Sequence, residues 1–166
     1  MPTRQYIVRN ASHAARATSA QVHPLNPRAR RNSYSLGDAA GLARVGAHIN
    51  IVAPGDETTE AHRHAFCDEF VYILSGKATV TLDGEEFEAR AGDFVGFPAG
   101  GPAHAMKNTG SADLVYLVGG NRPDFDVTDY PRAGKRMYLV AGADGRRQDY
   151  VNAADIRGAA AAREKE

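Results

Sequence analysis

Residues 62–70 read HRHAFCDEF: two histidines two apart, then an Asp-Glu pair, inside a stretch whose neighbours suit β structure. Successive side chains of a strand point to opposite faces, so His62 and His64 project to the same side. Two imidazoles on one face can share an ion, but an exposed strand face also tolerates an isolated HxH. A site needs more donors. Glu69 opens the following strand, EFVYIL, and about forty residues later His104 stands on another, AHAMKN. Two hairpins folded over one another would turn all four inward. Three neutral imidazoles and one carboxylate are a good donor set for one borderline divalent ion, Zn, Mn, Fe(II) or Ni. In an octahedral field four protein ligands leave two positions for water or substrate. Two adjacent vacant positions favour a chelating oxygen pair, such as an α-hydroxy ketone or a catechol.

Other residues are sorted by strand parity. His48 and Asn50, on the strand before the HxH pair, are candidate pocket-lining residues, as are Phe97 and Met106 near His104. Asp68 falls on the face opposite Glu69 and is read as solvated. Tyr72 sits between inward Val71 and Ile73 and faces outward. Cys67 is the single cysteine, with no adjacent base to activate it, so it reads as a packing residue and cannot form an internal disulfide. His13 and His23 lie in a polar stretch and read as solvent-exposed.

The elements that must position these residues are short. At 166 residues, the chain can bury one good core, and its 17 glycines and 8 prolines suit turns and brief strands. Strands are expected at VGAHINIV (45–52), EFVYIL (69–74), KATVTL (77–82), EEFEA (85–89), DFVGF (93–97), AHAMKN (103–108) and DLVYLVG (113–119). Asp83-Gly84 is a two-residue hairpin signal. Many short strands without helical crossovers argue a sandwich or barrel. Residues 1–35 are expected to be an extended or partly disordered arm with one short strand at QYIV (5–8). Residues 36–142 form the barrel, with a loop and a late strand after residue 120. Residues 143–166 are expected to be a tail with a short helix capped by Asn152.

Charge is balanced overall but not along the chain. Residues 1–44 hold seven arginines and one acid, whereas residues 45–95 hold ten acids against Arg63, Lys77 and Arg90. The arginines lack interleaved aromatics and a helix-turn-helix pattern, so no nucleic-acid partner is expected. A basic arm crossing to a neighbouring subunit fits better. No apolar leader and no membrane-length run stand out, so no membrane partner and a cytoplasmic location are expected.

Gly55, His62-Arg63-His64, Glu69 and Gly76 form one spaced motif. Gly92, Pro98-Ala99-Gly100, His104 and Asn108 form a second. Together they resemble the two motifs of the cupin superfamily, each with one extra residue, in the small single-domain branch whose activity is unassigned. The resemblance implies a double-stranded β-helix, an all-β jelly-roll barrel, with one divalent metal ion in its mouth on His62, His64, Glu69 and His104, and a homodimer. It leads to a metal-dependent enzyme of the isomerase or lyase type, acting on a sugar phosphate or hydroxy ketone. The alternatives are a small-ligand binding or sensing module and an Fe(II) dioxygenase.

Overall fold

Turn chemistry cuts the chain into thirteen strands among the residues that the computed structural model describes, 7–8, 17–143 and 145–156. In chain order they are β1 (Ser19–His23), β2 (Asn26–Ser35), β3 (Val45–Val52), β4 (Arg63–His64), β5 (Glu69–Ser75), β6 (Lys77–Leu82), β7 (Glu85–Arg90), β8 (Phe94–Phe97), β9 (His104–Asn108), β10 (Leu114–Asn121), β11 (Phe125–Tyr130), β12 (Lys135–Gly142) and β13 (Gly145–Asn152). A single helical turn, α1 (Leu36–Ala39), follows β2, with the Ser35 side chain accepting from the Asp38 N–H. The Asp83-Gly84 turn joins β6 to β7 with φ of 47° and 95°, the left-handed pair that a two-residue hairpin demands.

The strands pair antiparallel in three sheets. A six-stranded sheet runs β1-β2-β3-β10-β5-β8, a four-stranded sheet β13-β12-β11-β4 and a three-stranded sheet β7-β6-β9. One bridge links the two smaller sheets: His62 and His104 exchange both backbone hydrogen bonds, at 3.1 and 2.8 Å. The result is an all-β jelly-roll barrel, as the sequence motifs imply. Its core lies between the large sheet and the three-stranded one, with Val52, Val71, Ile73, Val80, Leu114 and Tyr116 buried there. Each of these aliphatic side chains contributes roughly 1.5–3 kcal/mol by leaving water.

Buried Asn108, at the end of β9, closes the barrel wall. Its Nδ2 donates to the Val52 and Ala112 carbonyls at 2.8 and 2.9 Å, and its Oδ1 accepts from the Gly110 N–H at 2.9 Å. Every polar atom of the side chain is used, so this end of the second sequence motif is a structural lock.

Residues 19–35 and 121–152 are more regular than their composition suggests. Residues 19–35 are extended, but as a paired hairpin on the sheet rather than an irregular arm: β1 pairs with β2, and β2 continues onto β3. Their inward residues, Gln21, His23, Arg31 and Ser33, are polar because they face a cavity, so no apolar alternation marks the strands. The segment after residue 120, expected to be a loop and one late strand, is a three-stranded meander whose last member, β13, lies in the expected tail. Arg146, Arg147, Gln148 and Asp149 in β13 are exposed, and the strand is held by its backbone register with β12. Asn152 precedes a 3-10 turn, Ala153–Asp155, but makes no side-chain cap; its Oδ1 accepts from Lys135 Nζ at 2.6 Å instead. His13, the first half of QYIV and the segment past residue 156 expected to be helical fall outside the described residues, while Ile7 and Val8 are not in a strand.

Candidate metal centre

Three strands, β4, β5 and β9, bring together the candidate donors between residues 62 and 104. His62 sits just before β4 and His64 ends it, on the same side as parity requires. Glu69 begins β5, and His104 begins β9. Glu69 lies opposite Gly120 of β10, whose close approach leaves no space for a side chain: a Cβ there would stand 2.5 Å from the Asp68 carbonyl. The Glu69 Oε2 lies 3.8, 3.6 and 3.5 Å from the Nε2 atoms of His62, His64 and His104. The donor atoms of His62, Glu69 and His104 form the tightest group, all within 4.8 Å of one another. His64 stands slightly apart, its ring centroid 6.4 Å from that of His104.

The other ring nitrogens explain why the Nε2 atoms face inward. His62 Nδ1 is 2.9 Å from the Glu60 carbonyl, His104 Nδ1 is 3.3 Å from the Pro102 carbonyl and His64 Nδ1 is 2.6 Å from Asp126 Oδ2. Each partner is an acceptor, so a neutral ring carries its proton on Nδ1 and turns the Nε2 lone pair toward Glu69. Phe97 stacks on the His104 ring at 3.9 Å and 4°, fixing its plane. With all three rings neutral, three lone pairs and a carboxylate would face and repel one another unless a cation lay among them. His104 Nε2 is buried without a hydrogen-bond partner, the orphan that such a cation would satisfy. Bonds of about 2.1 Å place neighbouring ligands roughly 3.0–3.4 Å apart, so separations of this order need only slight closure. The donor set fits a divalent ion.

Local electrostatics agree. Burial would raise the pKa of Glu69, but the imidazoles of His104, His62 and His64 that face it hold it well below the ordinary carboxylate range. Burial lowers the pKa of His62. Burial opposes the charge on His64 too, yet Asp126 and Glu69 outweigh it and push its pKa up to about 9. Without a metal ion, His64 therefore carries a proton at neutral pH, which an incoming ion would displace.

The support behind these ligands was not singled out in the sequence. Asp126, Thr128 and Tyr130 alternate along β11, and all three are buried. Asp126 also accepts from the Phe66 N–H at 3.0 Å, Thr128 Oγ1 lies 3.1 Å from His64 Nδ1, and Tyr130 stacks on His62 at 5.7 Å. A polar residue at every second position of FDVTDY was the available signal.

The four donors open into a cavity of about 510 Å³ that His48, Asn50, Phe97 and Met106 all line. His23 lines it as well and is half-buried, not solvent-exposed: its ring lies 5.5 Å from Tyr130, its Nδ1 accepts from the Leu25 N–H at 3.2 Å, and burial lowers its pKa to about 4. The sequence left it in an apparent arm because the β1–β2 pairing is not visible there. Asp68 is exposed, with one carboxylate oxygen accepting from the Ala99 N–H. Tyr72 is 39% exposed on the outer face. Cys67 Sγ donates to the Asn121 carbonyl at 3.0 Å, and burial pushes its pKa up to about 12, so the thiol stays protonated.

Comparison with known proteins gives a consistent picture. The family described as Cupin domain matches residues 48–120, the span holding both sequence motifs. A solved structure from Acidithiobacillus ferrooxidans, provisionally described as a sugar phosphate isomerase, is 43% identical, with a TM-score of 0.86 over 94% of this chain and 97% of that one. A sugar phosphate isomerase of the cupin superfamily from Silicibacter pomeroyi is 28% identical, with a TM-score of 0.74 over 86% of this chain and 90% of that one. Among curated sequences, the tetracenomycin polyketide synthase protein TcmJ of Streptomyces glaucescens is 32% identical over 93 residues, 55% of this chain and 58% of that protein. The chain spans about half the length of the curated relatives it matches.

Proposed function

The chain belongs to the cupin superfamily, and from that premise we propose that it is a metal-dependent enzyme of the isomerase or lyase type acting on a small, oxygen-rich molecule, a sugar phosphate or hydroxy ketone. The observation that carries this reading is the set of three Nε2 atoms around one Glu69 oxygen at the base of a roomy cavity. Its likeness to two solved structures with sugar phosphate isomerase descriptions supports the substrate class.

In this proposal His62, His64, Glu69 and His104 hold one divalent ion, which when bound polarises a substrate carbonyl or hydroxyl as a Lewis acid and acidifies the neighbouring C–H. The chain's own residues handle the proton and the orientation. His48, on the inner face of β3, has its pKa lowered by burial and then by the Arg122 charge, so its ring is neutral at pH 7 and can accept a proton at a ring nitrogen. His23, whose Nδ1 accepts from backbone, keeps its proton on Nε2 and presents a donor. Tyr130 has its pKa raised by burial, so its hydroxyl stays protonated beside the metal ligands.

The test is turnover on a panel of sugar phosphates and hydroxy ketones. We expect product from the purified protein, with none after chelation and none from Glu69→Gln. Saturable binding with no metal-dependent product would favour a binding or sensing module, and product only from catechols with oxygen uptake would favour a dioxygenase.

A further inference from the structure

The wall of the cavity away from the metal ligands carries an unspent positive charge. Arg31, on the inner face of β2, lines the cavity and is partly buried. Its Nη1 donates to the Thr58 carbonyl at 2.7 Å, which anchors the guanidinium without neutralising it. Among the described residues it forms no ion pair. The carboxylates lining the cavity, Glu69 and Asp126, are both committed: Glu69 to the three imidazoles, and Asp126 to His64 and the Phe66 N–H. The second cavity arginine, Arg122, is neutralised by Asp38 at 2.6 Å. A half-buried guanidinium kept from its usual partners is a costly arrangement unless a ligand completes it.

Asn50, on the adjacent strand β3, supplies an independent sign of a missing ligand. It is 5% exposed and lines the same cavity, yet its Oδ1 has no partner. Turning the amide over only exchanges the orphaned oxygen for an orphaned N–H. Ser33, two residues from Arg31 on the same face, pairs in register with Asn50, so Arg31 and Asn50 belong to one continuous patch of the wall.

We infer that Arg31 is the anion anchor of this cavity and that Asn50 Oδ1 accepts from a neighbouring substrate hydroxyl, so the ligand is a polyol bearing one anionic group. This deepens the proposed function and rests on it for the ligand's other end, which meets the metal centre. The planar fork of Arg31 suits either a phosphate or a carboxylate through two parallel N–H···O bonds. β2 therefore contributes a specificity-determining residue from a part of the chain that precedes both sequence motifs.

Calorimetric titration of the protein as purified with glycerol 3-phosphate, glycerate and glycerol tests this, with metal content measured on every sample. We expect at least one anionic probe to bind about tenfold or more tighter than glycerol, as a charge-assisted pair in a half-buried site predicts. Comparing the two anionic probes tells phosphate from carboxylate. Arg31→Gln should abolish the preference for the anion and Arg31→Lys, which keeps the charge without the fork, should retain part of it; Arg122→Gln should change it less than about threefold. An anion preference that survives both Arg31 substitutions, an equal loss in Arg122→Gln, or no preference at all in metal-loaded protein overturns the inference. Arg31-dependent binding in protein that never holds metal would instead count against the metal-dependent enzyme and leave the anion anchor standing.

Discussion

At the scale of the residue, the site depends on atoms that hold the ligands in place as much as on the ligands. His104 contributes the buried Nε2 that lacks a protein partner, whereas His48 only lines the cavity. His104→Ala should therefore lose metal stoichiometry while His48→Ala keeps it, as read by elemental analysis of protein purified without added metal. His48→Ala should still lose about 10²–10⁴-fold in turnover, the range of a removed general base; unchanged turnover would remove His48 from the proton-transfer role. Asp126 touches no ion in this arrangement but binds His64 Nδ1 at 2.6 Å. Asp126→Asn should lower metal affinity about 10–100-fold by loosening the ring and its tautomer. An affinity within twofold of the parent protein in a competition titration would show that His64 is held by other means.

At the scale of the element, β9 ties the site to the barrel. It begins with His104, a donor of the candidate metal centre, and ends with Asn108, a lock with no chemistry of its own. Asn108→Ala would strand the buried Val52 carbonyl and release the Ala112 carbonyl and the Gly110 N–H. The cost should be about 3 kcal/mol, at 1–3 kcal/mol for each buried group left unsatisfied. Chemical denaturation reads this directly, and metal stoichiometry below the transition should stay at the parent value. Loss of metal without loss of stability would contradict the division of labour along the strand. The expected strands from residue 45 to 119 match the observed ones to within about two residues, because these strands alternate apolar and polar and are punctuated by Pro-Gly, Ser-Gly and Asp-Gly. The hairpin of β1 and β2, and strand β13, gave no such signal: one lines a polar cavity, and the other is held by its backbone ladder.

At the scale of the molecule, the uneven charge remains to be explained. We propose that the basic N-terminal stretch acts between two copies of the chain. Sedimentation of the full chain should then report a dimer, and a chain beginning at Ala17, which lacks Arg4, Arg9 and Arg16 but keeps β1, should associate more weakly and with less dependence on salt. A monomer at every concentration, or an unchanged association constant, would refute it. The sequence by itself pointed to a sandwich or barrel through its short strands and turns, and marked the four candidate donors through strand parity, which is a local rule, and through two spaced motifs whose family resemblance implied the jelly roll. Only the tertiary structure could bring Asp126 behind His64, 62 residues away, or turn Arg31 and His23 into the cavity. These contacts depend on which strands become neighbours, and long-range pairing leaves no period in the chain when the paired faces are polar.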